Sequence, residues 1–200
     1  MTQRDPSDEA AYDDAMAALT IGEPQATWQR IEIRDYDPLW PALFEREEAR
    51  IRAALGDRVL VLEHAGSTSV PGLPAKPLID MVLEVPDSSD ETSYVPDLEA
   101  AGYPLRVREP EWFEHRLFKG PDTNVNLHTF SRGCPETDRM LLFRDWLREN
   151  EADRVLYANA KRELAAKEWK YVQQYADAKT AVVQEIVARA QDARDSAITD

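Results

Sequence analysis

The order of apolar and polar positions along the chain predicts a domain that mixes strands and helices. Two short apolar runs, 59–63 and 78–85, have the length of buried strands and are separated by a loop rich in small residues. Turn residues bound each of the other segments that have a strand-like pattern. Those segments are 31–33, 105–108, 115–119 and 125–130.

The remaining patterned segments predict helices. Asp37 and Pro38 are typical of a helix start, with Asp37 as the N-cap and Pro38 at the first helical position, and this helix should run to Leu55. A short helix is expected over 95–101, and from Glu136 onwards apolar stripes recur at helical spacing. The pattern therefore predicts an α+β (α/β) domain with a mixed sheet of about five strands, flanking helices and a C-terminal helical segment.

The first 25 residues differ in composition from the rest. They are rich in Asp, Glu, Ala and Pro, with a weakly helical patch over 9–19 followed by a Gly-Glu-Pro break. Such a segment has little apolar surface to bury, so we expect 1–25 to be an acidic arm that is poorly ordered or loosely docked. Residues 26–195 are expected to form a single domain.

Charge and composition narrow the classes of function. The chain of 200 residues is 43% hydrophobic and has a net charge of −14. An acidic surface repels nucleic-acid backbones, which excludes a general nucleic-acid binder but leaves room for a local basic pocket. No apolar run approaches the ~18 residues of a membrane span, and 1–24 lack a secretory pattern. The single cysteine, Cys134, excludes an internal disulfide, and we expect no membrane association and a cytoplasmic location.

The loop between the two apolar strands carries the strongest chemical signal. Gly66 is followed by three hydroxyl residues, Ser67, Thr68 and Ser69, and Lys76 follows before the second strand. Small residues let backbone N–H groups approach a phosphate, and a lysine supplies the charge that phosphates favour. Lys76 stands four residues after Gly72, which is not the spacing of a P-loop.

Asp80 is the second part of this signal, because it is a lone carboxylate in an apolar strand. Its burial would cost several kcal/mol unless a cation or hydrogen-bond donors offset it. One interpretation is a metal ligand, and the other is a carboxylate that only stabilises the fold by pairing with Lys76 or the loop hydroxyls.

This loop and several other segments resemble the GrpB family, which belongs to the nucleotidyltransferase-fold superfamily. The resemblance covers roughly residues 31–190. It is carried by Tyr36-Asp37-Pro38 with Trp40, by the loop and strand 63–80, by Leu127-His128, by 143–148, and by Tyr157, Lys161, Leu164, Tyr175 and Lys179.

The resemblance implies a nucleotidyltransferase-like sheet, in which a Gly-Ser pair holds nucleotide phosphates and strand carboxylates hold Mg²⁺. On this basis the expected phosphate ligands are Gly66, Ser67, Thr68, Ser69 and Lys76, and the expected metal ligand is Asp80. The cofactor would be Mg²⁺, which compensates the charge of a triphosphate.

The chain departs from the superfamily pattern at the second carboxylate. The positions two residues from Asp80 are Leu78 and Val82, and Glu84, on the same face, is about 13 Å away along the strand. We therefore expect Glu63, on the neighbouring strand, to be the second metal ligand and catalytic acid. His128 lies where the superfamily often has a third acid and becomes the candidate base.

Three arginines are further candidates for anion contacts. Arg144 and Arg148 are four residues apart and share a helix face, from which they would reach phosphates across the cleft. The alternative is a solvated face on which they pair with local acids. Arg116, on the hairpin strand, is the third candidate. Lys161 and Lys179 each follow a tyrosine by one turn, a spacing that predicts packing of the lysine stem on the ring.

Two functions remain open from the sequence. The first is a protein that binds a phosphorylated small molecule, best a nucleotide, with Mg²⁺-dependent transfer of a nucleotidyl or phosphoryl group. The alternative is a degenerate, non-catalytic module with an accessory or folding role. The missing strand acid favours the alternative, as does the occurrence of relatives fused to dephospho-coenzyme A kinase.

Overall fold

The computed structural model describes residues 6–24, 26 and 28–199. The helices and strands follow in this order: α1 (Pro6–Leu19), β1 (Gln29–Arg30), α2 (Trp40–Leu55), β2 (Val61–Ala65), β3 (Ile79–Val85), α3 (Val95–Ala100), β4 (Leu105–Glu109), β5 (His115–Lys119), β6 (Val125–Ser131), α4 (Pro135–Glu149), α5 (Glu151–Ala165), β7 (Glu168–Trp169), α6 (Val172–Asp177) and α7 (Thr180–Thr199). Within these described ranges, no helix is both long and apolar enough to cross a membrane.

The main sheet has five strands in the order β2-β3-β6-β5-β4. Strands β3 and β6 are parallel, and the other neighbouring pairs are antiparallel. The α+β prediction, with a mixed sheet of about five strands, flanking helices and a C-terminal helical segment, is confirmed. A second, two-stranded sheet joins β1 to β7. The strand predicted at 31–33 is displaced, because β1 (Gln29–Arg30) ends just before those residues. Strand β7 interrupts the segment after Glu136, which was predicted to be helical.

One face of the main sheet is covered by α2 and α3. Alternate residues of the strands, among them Met81, Leu83 and Leu127, point to this side and pack with Ile51 and Leu98. Tyr94, Tyr103 and Phe118 complete this core and are fully buried. This face is closed by apolar packing, so the chemistry of the sheet lies on its other face.

The other face is only partly covered. Ala65, Val82 and Phe130 pack against Met140 of α4. The helices α4, α5 and α7 form their own core, to which Val70 and Leu73 of the loop after β2 contribute. The starts of β3 and β6 lie outside both of these clusters, and polar side chains occupy this part of the face.

Helix α2 begins later than the sequence predicts. It starts at Trp40, and Pro41 rather than Pro38 occupies its first turn. Asp37 still accepts a hydrogen bond, from the Leu39 N–H at 2.9 Å, but this bond closes the turn that precedes the helix. The helix ends at Leu55 before Gly56, as expected.

The N-terminal segment was expected to be a poorly ordered or loosely docked arm with a helical patch over 9–19. Its described part forms α1, and the chain after α1 is tied to β4 by a bridge between Thr20 and Val107. The Ile21 N–H donates to the Arg106 carbonyl at 2.7 Å. Residues 1–5 and 25 of the predicted arm lie outside the described residues.

Candidate functional site

A cavity of about 520 Å³ lies between the open part of the sheet and the C-terminal helices. One half of its lining is polar and comes mainly from the loop after β2, the starts of β3 and β6, and α5. The polar lining includes Gly66, Ser67, Lys76, Asp80, His128 and Lys161. The other half is apolar and includes Met16, Leu19, Val107, Trp112, Leu117 and Tyr175.

The sheet register places the central polar groups side by side. Asp80 is the second residue of β3 and Asn126 is the second residue of β6, and the two are direct partners in the parallel pair. His128 is two residues further along β6 and therefore points to the same face. Sequence reasoning predicted that Asn126 and His128 share a face, and the structure brings both to Asp80.

Gly66 fits the loop closely over Asp80. Its φ is +64°, a conformation that favours glycine, and a Cβ built on it would lie 2.9 Å from the Asp80 Cβ. A larger residue would therefore collide with the strand that carries the carboxylate. The chain then turns through Ser67–Ser69, where the Ser69 and Val70 N–H groups bond back to Gly66 and Ser67. These turn bonds do not use the N–H groups of Ser67 and Thr68.

The Asp80 carboxylate has polar partners on β6. The Asn126 side-chain amide donates to its Oδ1 at 3.0 Å, and His128 Nε2 lies 3.8 Å from the same oxygen. Burial disfavours ionisation, but the His128 imidazole and the charge of Lys76 outweigh it and hold the pKa of Asp80 below its ordinary value. The carboxyl is therefore ionised at neutral pH. Lys76 does not reach it with a direct ion pair, so the structure does not support the simple Asp80–Lys76 pair.

Lysines are the main basic groups of the cavity lining. Lys161 is 2% exposed, and its Nζ donates to the Ser67 hydroxyl at 2.9 Å and to the Pro74 carbonyl. Burial, with nearby Lys179, lowers the pKa of Lys161 to about 6. Burial also lowers the pKa of Lys76, although Asp80 opposes the shift.

The lysines of the cavity differ in the groups that their Nζ atoms contact. Lys161 and Lys179 each lie over a tyrosine ring, with Nζ 4.6 Å from the Tyr157 and Tyr175 centroids, which confirms the packing predicted from their spacing. No side chain or carbonyl within the described ranges accepts a hydrogen bond from Lys76 or Lys179 Nζ. The polar half of the cavity therefore has more basic groups than acids to pair with them.

A chain of hydrogen-bonded side chains backs His128. Glu109 Oε2 lies 2.6 Å from His115 Nδ1, and His115 Nε2 lies 3.1 Å from His128 Nδ1. Burial lowers the pKa of His115, while Glu109 opposes the shift. This arrangement fixes the ring of His128 with Nε2 towards Asp80. Sequence reasoning missed Glu109 and His115, which become neighbours through the register of the β4–β5 hairpin.

Thr68 and Ser69, two of the predicted phosphate ligands, form hydrogen bonds with neighbouring groups of the loop and its flanking strands. Thr68 is 1% exposed; its hydroxyl donates to the Leu78 carbonyl at 3.1 Å and lies 3.0 Å from His64 Nε2. The Ser69 hydroxyl donates to the Gly66 carbonyl at 2.6 Å. Both hydroxyls therefore hold the turn in shape, and Thr68 and Ser69 as phosphate ligands stay a prediction.

Glu63, Arg144 and Arg148 lie at a second, more open cavity of about 530 Å³, which is also lined by His64 and Ser69. Arg144 Nη1 is 2.8 Å from Glu63 Oε2 and donates to the His64 carbonyl at 3.0 Å. Arg148 Nη2 donates to the Ser69 carbonyl at 2.9 Å. The structure therefore places these three residues at the second cavity and not with Asp80 and the lysines. Glu63 as a metal ligand and both arginines as phosphate contacts stay predictions.

Arg116 lies on the opposite face of the sheet. It alternates with the cavity-lining residues of β5, and its Nε donates to Glu91 Oε1 at 2.6 Å. Glu114 provides a second partner. The guanidinium is therefore neutralised away from the cavity, and Arg116 as a ligand contact stays a prediction that this geometry does not favour.

The donor set around Asp80 does not make a preformed metal site. In the part of the chain that the structure describes, no group of three or more His, Cys, Asp or Glu residues is arranged to hold a metal ion. The side chains next to Asp80 are an amide and an imidazole, and Glu63 is bound to Arg144. Mg²⁺ stays a prediction for an ion that would take its other ligands from phosphate oxygens and water.

The geometry thus defines the class of this protein: an α+β domain with a lysine-lined cavity beside a mixed sheet. Comparison with known proteins gives its family. Residues 30–189 match the family model described as "GrpB protein". The chain therefore belongs to the GrpB family. The solved structure of the conserved protein GrpB from Enterococcus faecalis has a TM-score of 0.70 and 30% sequence identity, covering 82% of this chain and 99% of that one.

Curated relatives extend the comparison. A UPF0157 protein of Halalkalibacterium halodurans is 60% identical over 89% of this chain and 91% of its own length. A UPF0157 protein of Streptomyces coelicolor is 45% identical over 90% of this chain and 94% of its own. A protein named dephospho-CoA kinase from Mycolicibacterium paratuberculosis is 31% identical over 63% of this chain, but the matched part is only 37% of that protein.

The contact between Gly66 and Asp80 gives a first testable prediction. Gly66→Ala should destabilise the fold by about 2–4 kcal/mol in urea unfolding, because the new Cβ combines a positive φ with a collision against Asp80. Gly72→Ala is the matched control: its φ is +77°, but a Cβ there meets nothing within 4 Å. This variant should lose only the free energy of placing a Cβ at a positive φ, about 1 kcal/mol. Equal losses in the two variants would contradict the close fit.

The buried Lys161 gives a second prediction. Its folded-state pKa of about 6 lies below the ordinary 10.5, so the unfolded chain binds more protons between these pH values. The free energy of unfolding should therefore rise with pH across this window. Lys161→Met should flatten the rise and stabilise the fold at pH 7 by on the order of 1–3 kcal/mol in chemical denaturation.

Lys167→Met is the control for this experiment, because Lys167 is exposed. It should leave both the pH dependence and the stability nearly unchanged. If Lys161→Met kept the slope of the wild-type protein between pH 6 and pH 10, Lys161 would have to be charged in the folded state.

Proposed function

We propose that this GrpB-family protein binds a phosphorylated small molecule, best a nucleotide, in the cavity between the sheet and the C-terminal helices. The observation that carries the proposal is the excess of base over acid. Lys76, Lys161 and Lys179 line the cavity with two carboxylates, Asp80 and Glu109, of which Glu109 is paired with His115, although the chain has a net charge of −14. Concentrating lysines against the overall charge is favourable only if an anion occupies the site.

The shape of the cavity supports a ligand with two unlike ends. Gly66 and Ser67 offer backbone N–H and hydroxyl groups beside the lysines, which suits phosphate oxygens. The apolar side chains of the lining, among them Trp112, suit a planar base or a similar group. A volume of about 520 Å³ lies within the ordinary range for small-molecule sites.

The relatives add a weak indication in the same direction. The matched region also occurs within proteins named dephospho-CoA kinase, a name that denotes an enzyme acting on a phosphorylated compound. The nucleotidyltransferase-like resemblance of the loop and Asp80 leads to the same class of ligand.

The proposal has two forms. In the catalytic form, the protein transfers a nucleotidyl or phosphoryl group with Mg²⁺, and His128, held by His115, is the base nearest Asp80. In the second form, the protein is a degenerate, non-catalytic module with an accessory or folding role. The ion pair of Glu63 with Arg144 favours the second form, because it removes Glu63 as a second carboxylate for Asp80. Glu109, the other acid of the cavity lining, is paired with His115. We keep the cytoplasmic location of the sequence analysis as part of the proposal.

The direct test is calorimetry of the full-length protein with ATP, GTP, CTP, UTP, dephospho-coenzyme A and inorganic tripolyphosphate, with and without Mg²⁺. Lys76→Ala and Lys179→Ala should each weaken binding of the best ligand about 10- to 100-fold, because each removes a charge-assisted contact. Lys167→Ala, with the same loss of charge outside the cavity, should bind like the wild-type protein. Absence of heat and of thermal stabilisation across the whole panel would refute the proposal.

Asp80→Asn separates the roles of the lone carboxylate. If Asp80 holds Mg²⁺ together with the phosphates, the variant should lose the Mg²⁺ dependence of nucleotide binding. It should also bind the metal-free nucleotide more tightly, because a negative charge has been removed from the site. An unchanged Mg²⁺ dependence in Asp80→Asn would show that the metal is carried by the nucleotide alone, and would favour the non-catalytic form.

A further inference from the structure

Helix α1 has one half-buried face, although its composition suggested a weakly structured arm. The half-buried positions are Glu9, Tyr12, Asp13, Met16 and Leu19, which recur at helical spacing. The first three are polar or amphipathic and the last two are apolar. The two parts of this face contact different parts of the protein.

The first part of the face is anchored near the end of the C-terminal segment. Lys170 Nζ is 2.6 Å from Asp13 Oδ2 and 3.3 Å from Glu9 Oε1. The Tyr12 hydroxyl donates to Asp177 Oδ2 at 2.6 Å. The same stretch of chain, 170–177, supplies Val172 and Tyr175 to the cavity lining, so α1 is fixed to a wall of the site.

The second part of the face reaches the cavity itself. Met16, Leu19 and Thr20 belong to its lining, and Thr20 is bridged to Val107, which is also a lining residue. Met16 and Leu19 are among the apolar side chains of this lining, as is Trp112. The match to the GrpB family model starts only at residue 30, so α1 precedes the matched region.

We propose that α1 is part of the ligand site of this protein, with Met16 and Leu19 contacting the apolar end of the ligand while Lys170 holds the helix in place. The inference rests on the proposed function, and it assigns selectivity to a helix outside the family-matched region. Phosphates bind to the lysines of the polar half, and α1 determines how well the remainder of the ligand fits.

Two geometric facts and one physical principle support this assignment over a purely structural role for α1. The apolar pair faces an empty volume and not a closed core. The anchors of α1 are ion pairs and a tyrosine hydroxyl at its other end, so docking does not consume Met16 or Leu19. Apolar side chains left facing a cavity gain stability when a ligand covers them.

The test compares two ligands on the full-length protein. Affinities are measured by calorimetry for the nucleotide that the wild-type protein prefers and for inorganic tripolyphosphate, which has no apolar end. The double variant Met16→Ala/Leu19→Ala should bind the nucleotide about 10-fold more weakly, because several buried methylene groups are lost. It should bind tripolyphosphate within about twofold of the wild-type protein. Asp14→Ala, on the exposed side of α1, should change neither affinity.

A second variant tests the anchor. Lys170→Glu faces Glu9 and Asp13 with a like charge and should release α1, so nucleotide affinity should fall as in the double variant while hydrogen exchange over 6–20 speeds up. Lys167→Glu carries the same charge change at an exposed position and is the matched control. In the wild-type protein, the nucleotide should slow exchange over 6–20, and tripolyphosphate should not.

The outcomes separate this inference from the function on which it rests. If the wild-type protein binds the nucleotide and both α1 variants bind it equally well, the site is real and α1 is not part of it. If the α1 variants lose nucleotide and tripolyphosphate alike, α1 supports the fold and not the selectivity. If the wild-type protein binds neither ligand, the proposed site itself is refuted, and this inference with it.

Discussion

The central constraint of the structure is the ionised carboxylate of Asp80, which lies in a largely apolar strand. Its position fixes the elements around it: β6 must run parallel to β3 in the register that brings Asn126 alongside, and the loop after β2 must pass close enough that only glycine fits at Gly66. The Asp80 charge also opposes the loss of the proton from Lys76. A neutral residue in place of Asp80 would no longer need the hydrogen bond from Asn126 or the nearby charge of Lys76.

The lysines around this carboxylate are held at a cost to the fold. Lys161 is almost fully buried, its protonation is disfavoured, and its neighbours Ser67 and the Pro74 carbonyl are neutral. A protein selected only for stability would place an apolar residue there. Groups that are destabilising by themselves and converge on one cavity are characteristic of a binding site, because an anionic partner supplies the charge that the protein lacks.

The sequence allowed much of the fold and half of the site to be predicted. The strand–loop–strand unit, the hairpin and the tyrosine–lysine packing follow from short-range periodicity, which depends on residues a few positions apart. The sequence also predicted that Arg144 and Arg148 share one face of a helix. Periodicity does not indicate which side of the loop that face contacts. Both arginines and Glu63 were expected beside Asp80 and the loop lysines, but they line the second cavity. The pairing of Glu109 with His115 depends on the register of the β4–β5 hairpin, and the docking of α1 depends on contacts between distant segments. A single sequence gives no signal for either.

The support of the loop by Arg144 and Arg148 has a consequence for genetics. Both side chains grip backbone carbonyls of the residues before and within the turn, His64 and Ser69, from the side that faces away from the lysines. A random screen for inactive alleles would therefore recover substitutions at these arginines as readily as substitutions in the cavity. Alleles of the first kind would alter the conformation of Gly66 and Ser67 without removing any group that touches a ligand, so inactivity alone would not distinguish a scaffold position from a contact position.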